Sequence, residues 1–74
     1  MDAAEERLRE QGFREVRVRY HGEIARIEVT EAEWVRLAQV PELRRRVAAD
    51  LHAVGFRYVT IDLDGYRQGE FNAP

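Results

Sequence analysis

The feature that most constrains the fold is a pair of alternating runs, residues 14–20 and 23–29, that flank His21 and Gly22. Apolar and polar side chains alternate along both runs, which is the pattern of two β-strands with one buried and one solvated face. A glycine between two such runs is typical of a tight turn. The sequence therefore predicts a β-hairpin whose core face carries Val16, Val18, Tyr20, Ala25, Ile27 and Val29.

The register of this hairpin has two possible forms. A two-residue turn at His21 and Gly22 would place Arg17 opposite Arg26. A four-residue turn over residues 21–24 would instead place Arg17 opposite Glu28. Opposite charges that face each other stabilise a strand pair by about 0.2–1 kcal/mol, whereas like charges destabilise it. We therefore predict the longer turn.

Helices are predicted on both sides of the hairpin. A short helix over residues 2–11 ends at Gly12, and the first strand begins at Phe13 or Arg14. After the hairpin, residues 30–33 have the Thr-x-x-Glu spacing of a capping box, which predicts a helix start. Pro41 predicts a break and restart of this helix, because proline is tolerated only in a first helical turn.

The second half of the chain predicts a long helix and a third strand. Apolar residues recur at helical spacing up to Gly55, which ends the helix; they are Leu43, Val47, Leu51 and Val54. Residues 56–63 alternate as a strand, with Val59, Ile61 and Leu63 toward the core and Tyr58, Thr60 and Asp62 on the polar face. A right-handed crossover would make this strand parallel to one strand of the hairpin.

These elements predict one α+β domain over residues 1–74. Their order is α-β-β-α-β, a half-sandwich with a three-stranded mixed sheet and helices on one face. This arrangement is ferredoxin-like with the first strand missing.

The composition restricts the function. With 74 residues and no cysteine, the chain has a small core, no disulfide, no thiolate metal site and no cysteine nucleophile. The usual remaining support for such a chain is self-association or a larger partner, and we expect a homo-oligomer. A net charge of −2 from dense charges of both signs argues against nucleic-acid binding. No apolar run is long enough for a membrane span, and the acidic N-terminus lacks signal-peptide features, so we expect a cytoplasmic protein.

Arginines are concentrated on the polar face of the predicted sheet. Arg17, Arg19 and Arg26 would suit a phosphate, because guanidinium groups match phosphate oxygens. The alternative is a solvated face whose arginines form ion pairs with Glu28, Asp62 and Glu15. His21, at the turn, could support an anion site. Arg44, Arg45 and Arg46 point in different directions from one helix and predict a solvated band.

Other chemistry is not favoured. The two histidines, His21 and His52, are too far apart in the sequence to predict a metal site without further ligands. Arginine-rich surroundings would keep Glu28 and Asp62 ionised, which suits ion pairing better than proton transfer. We therefore predict no metal, no cofactor and no catalytic residue. Trp34 is expected to be a core or interface anchor.

Three blocks of sequence together resemble a known family. They are Arg17 to Arg19 followed by residues 21–29, then residues 55–63, then Gly65-Tyr66-Arg67 through Asn72. In this order they are similar to the C-terminal region of the PP-loop ATP-pyrophosphatase family. That family is typified by the ATP-dependent sacrificial sulfur transferase of lactate-racemase cofactor maturation. The similarity extends from about Leu8 to Asn72.

The resemblance implies a relative that activates a carboxylate of a pyridinium mononucleotide with ATP and transfers sulfur from its own cysteine. It also implies oligomers, with the C-terminal region contributing to contacts and to anion binding. Arg17 and Arg19 match the family's paired strand arginines. The tail departs from the family pattern at Gln68, Glu70 and Phe71, and Glu70 would oppose a nearby anion. Both the Gly-rich PP-loop and the sacrificial cysteine are absent from this sequence.

The sequence thus predicts a stand-alone, non-catalytic module that resembles the C-terminal domain of PP-loop sulfur transferases. It would self-associate through its sheet face or its tail, where Tyr66 and Phe71 would contact a neighbouring subunit. It would bind a phosphate-containing small molecule at Arg17, Arg19 and Arg26, with His21, Glu28 and Asp62 in support. A separate PP-loop catalytic subunit is the expected partner. The alternative is a purely structural or regulatory oligomerisation domain without a ligand.

Overall fold

The structure is a computed structural model that describes residues 3–66. Its elements follow the predicted order, with the helical segment after the hairpin divided in two at Val40. They are α1 (Ala3–Glu10), β1 (Val16–His21), β2 (Ile24–Val29), α2 (Glu31–Gln39), α3 (Pro41–Val54) and β3 (Tyr58–Ile61). The break before Pro41 is confirmed, because α2 ends at Gln39 and Pro41 is the first residue of α3.

The three strands form one mixed sheet in the order β1-β2-β3. β1 and β2 are antiparallel, and β3 runs parallel to β2, as predicted from the crossover. Arg17 lies opposite Glu28, so the predicted register is confirmed. The strands nevertheless continue to the His21–Ile24 pair, which leaves a two-residue turn of Gly22 and Glu23 instead of the predicted four residues. Gly22 has a φ of 60°, which suits the first central position of a type II′ hairpin turn.

The hydrophobic core lies between one face of the sheet and the helices. The sheet contributes the predicted alternate residues, except that Tyr20 is 55% exposed at the end of β1. Its ring packs at a tilt against Phe56, with the centroids 5.1 Å apart. The fully or nearly buried residues are Ala4, Leu8, Phe13, Val16, Val18, Ala25, Ile27, Val29, Leu37, Leu43, Val47 and Leu51. The predicted α+β half-sandwich with helices on one face is therefore confirmed.

Several predicted element ends differ from the structure. The first strand begins at Val16, and Phe13 instead fills the core from the connection, with its amide donating to the Leu8 carbonyl at 3.1 Å. The capping box is only partly formed. Thr30 is the N-cap of α2, but its hydroxyl lies 3.4 Å from the Glu33 carboxylate and caps no backbone amide.

The third strand is shorter than predicted. Its last ladder-like bond is from the Asp62 amide to the Ile27 carbonyl, at 2.8 Å. The chain then turns, with the Gly65 amide donating to the Asp62 carbonyl at 3.1 Å. Leu63 is consequently 80% exposed, so its prediction as a core residue was wrong.

None of the helices within residues 3–66 is long and apolar enough to cross a membrane. The predictions for Gln68, Glu70 and Phe71 lie outside the described residues.

Candidate functional site

The sheet face opposite the helices carries the predicted site residues. Arg17, Arg19 and His21 project from β1, since they alternate with the buried valines. Arg26 and Glu28 project from β2, and Thr60 and Asp62 stand beside them along β3 and its end. The structure therefore brings all six predicted residues to one face, which we call the polar sheet face: Arg17, Arg19, His21, Arg26, Glu28 and Asp62.

A chain of ion pairs of alternating charge crosses this polar sheet face. Arg19 Nε lies 3.3 Å from Glu28 Oε2, and Arg26 Nη2 lies 3.4 Å from the same oxygen. Arg26 Nε lies 3.4 Å from Asp62 Oδ2. The Glu28 side chain is only 12% exposed, so it sits below the two guanidinium groups that share it. Within residues 3–66, Glu15 makes no ion pair with these arginines, although it was a predicted partner.

Asp62 is held in place by its neighbours. Its Oδ1 accepts the Asp64 amide at 2.8 Å while Oδ2 faces Arg26. Next to it, the Thr60 hydroxyl donates to the Ala25 carbonyl at 2.9 Å. These contacts join β3 to β2 on the polar side, so Asp62 fixes the position of Arg26.

Arg17 differs from the other two arginines. Its Cα lies opposite that of Glu28, yet the Glu28 carboxylate is directed at Arg19 and Arg26. Among residues 3–66 the exposed Arg17 guanidinium has no hydrogen bond or ion pair. With respect to residues 3–66, all its donors therefore remain available to an anion in solution. Among the described residues, Arg19 pairs through Nε only, which leaves its two terminal nitrogens for a ligand.

His21 lies at the end of β1, opposite Ile24. Its side chain is exposed and has no polar partner in the described part of the chain. It stands two positions along the strand from Arg19, on the same face, and could contact a ligand of nucleotide size that Arg19 holds. The described residues contain no cluster of three or more possible metal ligands.

The structure also shows two cavities that the sequence did not predict. One is an apolar groove of about 350 Å³ on the helix side of β3, between β3, α2 and α3. The other, of about 400 Å³, lies between the start of α2 and the turn from Leu63 to Tyr66. Trp34 lines both. Its ring packs against the core, and its buried Nε1 has no hydrogen-bond partner in the described region. In the sequence, the small residues Ala38 and Ala48, which line the groove, were the feature that could have indicated it.

Fold and site together define a class: a small α+β domain in which helices cover one face of a mixed sheet and the other face carries paired arginines. No family model matches the chain. It is 50% identical over 70 residues, or 95% of its length, to the pyridinium-3,5-bisthiocarboxylic acid mononucleotide synthase of Lactiplantibacillus plantarum. It is also 39% identical over 69 residues, or 93% of its length, to an uncharacterized protein of Synechocystis.

The chain spans about a quarter of the length of these curated relatives, 24% of the first and 25% of the second. It is therefore related to one domain-sized part of the synthase. This finding supports the predicted relation to a sulfur-transferase-like enzyme. That the matching part is the C-terminal one stays a prediction.

Proposed function

We propose that this chain is a non-catalytic module that binds the phosphate of a small molecule on its polar sheet face and self-associates. In this proposal it serves a PP-loop sulfur-transferase-like enzyme. The observation that carries the proposal is the guanidinium of Arg17, which has no partner among the described residues, beside that of Arg19, which pairs through Nε. Two adjacent guanidinium groups on one strand face offer the forked donors that phosphate oxygens accept.

The name of the relative supports the same ligand class. That name describes the synthesis of a mononucleotide, which contains one phosphate group, and the chain is 50% identical to part of the enzyme. We propose that the phosphate lies over Arg17 and Arg19, with Arg26 at the edge of the site. Arg26 uses Nε and Nη2 in ion pairs, which leaves Nη1 for a ligand.

The electrostatic attraction in this site is moderate. Three arginines face two carboxylates, so the polar sheet face has one positive charge in excess. Arg19 and Arg26 are 47% and 39% exposed, so their interactions are screened by solvent and salt. We therefore expect binding in the millimolar range for inorganic phosphate and tighter binding for a nucleotide that also contacts His21.

In this proposal the catalytic part of the reaction lies outside these 74 residues. The chain has no cysteine to donate sulfur, and it corresponds to only 24% of the synthase. We propose that a PP-loop catalytic subunit binds ATP and carries out the chemistry, while this module holds the mononucleotide phosphate and contributes to assembly.

Thermal unfolding with ligands tests the anion site. The wild type is compared with Arg17→Ala/Arg19→Ala in millimolar phosphate, AMP or nicotinate mononucleotide. A ligand that binds only the folded state raises stability by about 0.4 kcal/mol when its concentration equals its Kd, and by about 2.7 kcal/mol at a hundredfold excess. For a domain of this size, each kcal/mol raises Tm by about 4–8 °C. We expect a rise in the wild type that is absent from the double variant.

A matched control is Arg14→Ala/Arg45→Ala, which removes the same charge from exposed positions off the polar sheet face. It should respond to ligand like the wild type. The alternative function is a structural or regulatory oligomerisation domain, and the shared ion pairs at Glu28 favour it. No ligand response in the wild type would reject the anion site and support this alternative.

A further inference from the structure

The two edges of the sheet differ in their protection. The strand order leaves β1 and β3 at the edges. At the β1 edge, the Val18 amide donates to the Glu5 carboxylate of α1 at 3.0 Å. A charged side chain that occupies an edge amide in this way prevents pairing with another strand.

The β3 edge has no such cover within residues 3–66, where β2 is the only strand bonded to β3. The amides of Tyr58 and Asp62 donate to the Glu23 and Ile27 carbonyls, at 3.1 and 2.8 Å. Since successive residues of a strand direct their amides and carbonyls to opposite sides, those of Val59 and Ile61 point away from the sheet. Within the described part of the chain no other strand pairs with them, so they form an open hydrogen-bonding edge there.

The apolar groove runs along the helix side of this same edge. It is lined by Trp34, Leu37, Val47, Ala48, Val59 and Ile61. Leu63, the second residue after β3, is 80% exposed and lines the second cavity. An added strand would satisfy the outward backbone groups and lay its alternate side chains in the groove, as in recognition by strand addition.

The charges that flank β3 are complementary to those of a second copy of β3 in the antiparallel orientation. Arg57 precedes the strand, is 69% exposed and forms a solvent-exposed ion pair with Glu23 at 3.5 Å. Asp62, which faces Arg26, and Asp64 follow the strand. If two copies of β3 pair antiparallel, the basic end of each lies beside the acidic end of the other. In a parallel pair like charges would meet, which destabilises the pairing. The edge is thus self-complementary in the antiparallel orientation.

We propose that this edge is an interface between two copies of the chain, whose β3 strands pair antiparallel about a two-fold axis at Thr60. Val59 of one copy lies opposite Ile61 of the other, and each such pair exchanges two hydrogen bonds. The two three-stranded sheets become one six-stranded sheet across an isologous interface. This inference rests on the self-association in the proposed function and assigns it the β3 edge, across the sheet from β1, which carries Arg17 and Arg19.

A single-cysteine experiment on the full chain tests both the surface and the register. Because the chain has no cysteine, Thr60→Cys introduces one thiol. In the proposed pair, position 60 faces its own counterpart at a Cα distance of about 4.5 Å, which a disulfide can span. Tyr58→Cys is the control on the same strand face. Its counterpart lies four residues further along, about 13 Å away, beyond disulfide reach.

Both variants are oxidised with glutathione and analysed on non-reducing gels, and the unmodified chain is analysed by sedimentation velocity. Hydrogen exchange is also measured at the Val59 and Ile61 amides of the unmodified chain. This measurement does not depend on whether a cysteine variant folds. We expect a dimer, cross-linking of Thr60→Cys at least tenfold faster than of Tyr58→Cys, and amide protection that decreases on dilution.

The other outcomes separate the interface from the proposed function. A self-associating chain with equal cross-linking and unprotected amides would reject this interface and leave self-association to another surface. A protein that is monomeric at all concentrations would reject both this interface and self-association. The same holds for a monomer whose Val59 and Ile61 amides are protected, because its own chain would then cover the edge. Neither result affects the anion site, which the ligand-dependent Tm measures separately.

Discussion

At the scale of single residues, Glu28 decides how strongly the polar sheet face attracts an anion. Its carboxylate pairs with Arg19 and Arg26 and would repel a phosphate over the same strands. Removing its charge releases both guanidinium groups. We expect Glu28→Gln to bind phosphate about fivefold more tightly, since one charge at this distance contributes about 1 kcal/mol in a solvated site. Isothermal titration or the ligand-dependent Tm measures the change.

The matched control for this variant is Glu42→Gln, an equal charge change at an exposed position in the first turn of α3. It should leave phosphate affinity nearly unchanged. Equal or weaker binding by Glu28→Gln would mean that Glu28 positions the arginines for the anion more than it competes with it.

Gly65 is the residue whose backbone leaves the least room for a side chain. Its φ is +81°, and a Cβ there would lie 2.9 Å from the Val29 carbonyl oxygen, which accepts the Tyr66 amide at 2.8 Å. Gly22 also has a positive φ, +60°, but has open space around it. Both changes to alanine cost about 1 kcal/mol in backbone strain, and Gly65→Ala also weakens the hydrogen bond, by about 1 kcal/mol more. Urea unfolding of the two variants measures this difference, and equal losses would contradict it.

At the scale of secondary-structure elements, Arg44 stabilises the junction of α2 and α3. Its Nη1 donates to the carbonyls of Leu37 and Ala38, both at 3.1 Å, and so satisfies the end of α2. We expect Arg44→Ala to lower the free energy of unfolding by about 1 kcal/mol, allowing for its partial exposure. The control is Arg45→Ala, whose guanidinium makes no hydrogen bond in the described region and should be near neutral. Comparable losses in urea unfolding would reject this capping role.

Some features of the helices and strands could be predicted from the sequence and others could not. The alternation of apolar and polar residues correctly predicted the two faces of the hairpin. The opposite charges of Arg17 and Glu28 correctly predicted its register. Both signals are local in the sequence. Arg44 is exposed, as the predicted solvated band requires, but its bonds to the end of α2 were not predicted, since the acceptors lie on another helix. Leu63 was misassigned because alternation continues past the point where the Asp62 and Gly65 bonds turn the chain. The groove depends on how three elements pack, which no periodicity records.

For the candidate site, the sequence predicted which residues share a face but not which of them form ion pairs. Period-two alternation placed Arg17, Arg19 and Arg26 on one face, and the structure brings them together. Which of them is paired could not be predicted, because Glu28 reaches diagonally to Arg19 and not to Arg17 directly opposite. That choice between neighbouring partners depends on side-chain conformation, and it decides which guanidinium can meet a ligand.

At the scale of the whole molecule, stability depends on a small core. For 74 residues the usual range of unfolding free energy is roughly 4–11 kcal/mol. Leu51 is 0% exposed at the centre of the core, where α3 meets the sheet and α1. Leu51→Ala removes buried methyl groups and leaves a cavity, at a cost of about 2–5 kcal/mol. We expect it to be partly unfolded at 37 °C by circular dichroism, whereas Leu63→Ala, at 80% exposure, should keep its fold.

This pair of variants also separates folding from assembly, because the proposed β3 interface covers Leu63 and leaves Leu51 inside each copy. Stability that comes from a dimer increases with protein concentration, whereas stability from the core of one copy does not. Leu63→Ala should therefore retain the fold but show a smaller rise of Tm with concentration than the wild type. Calorimetry over a hundredfold concentration range measures this dependence. An identical rise in both proteins would place Leu63 outside any contact between copies.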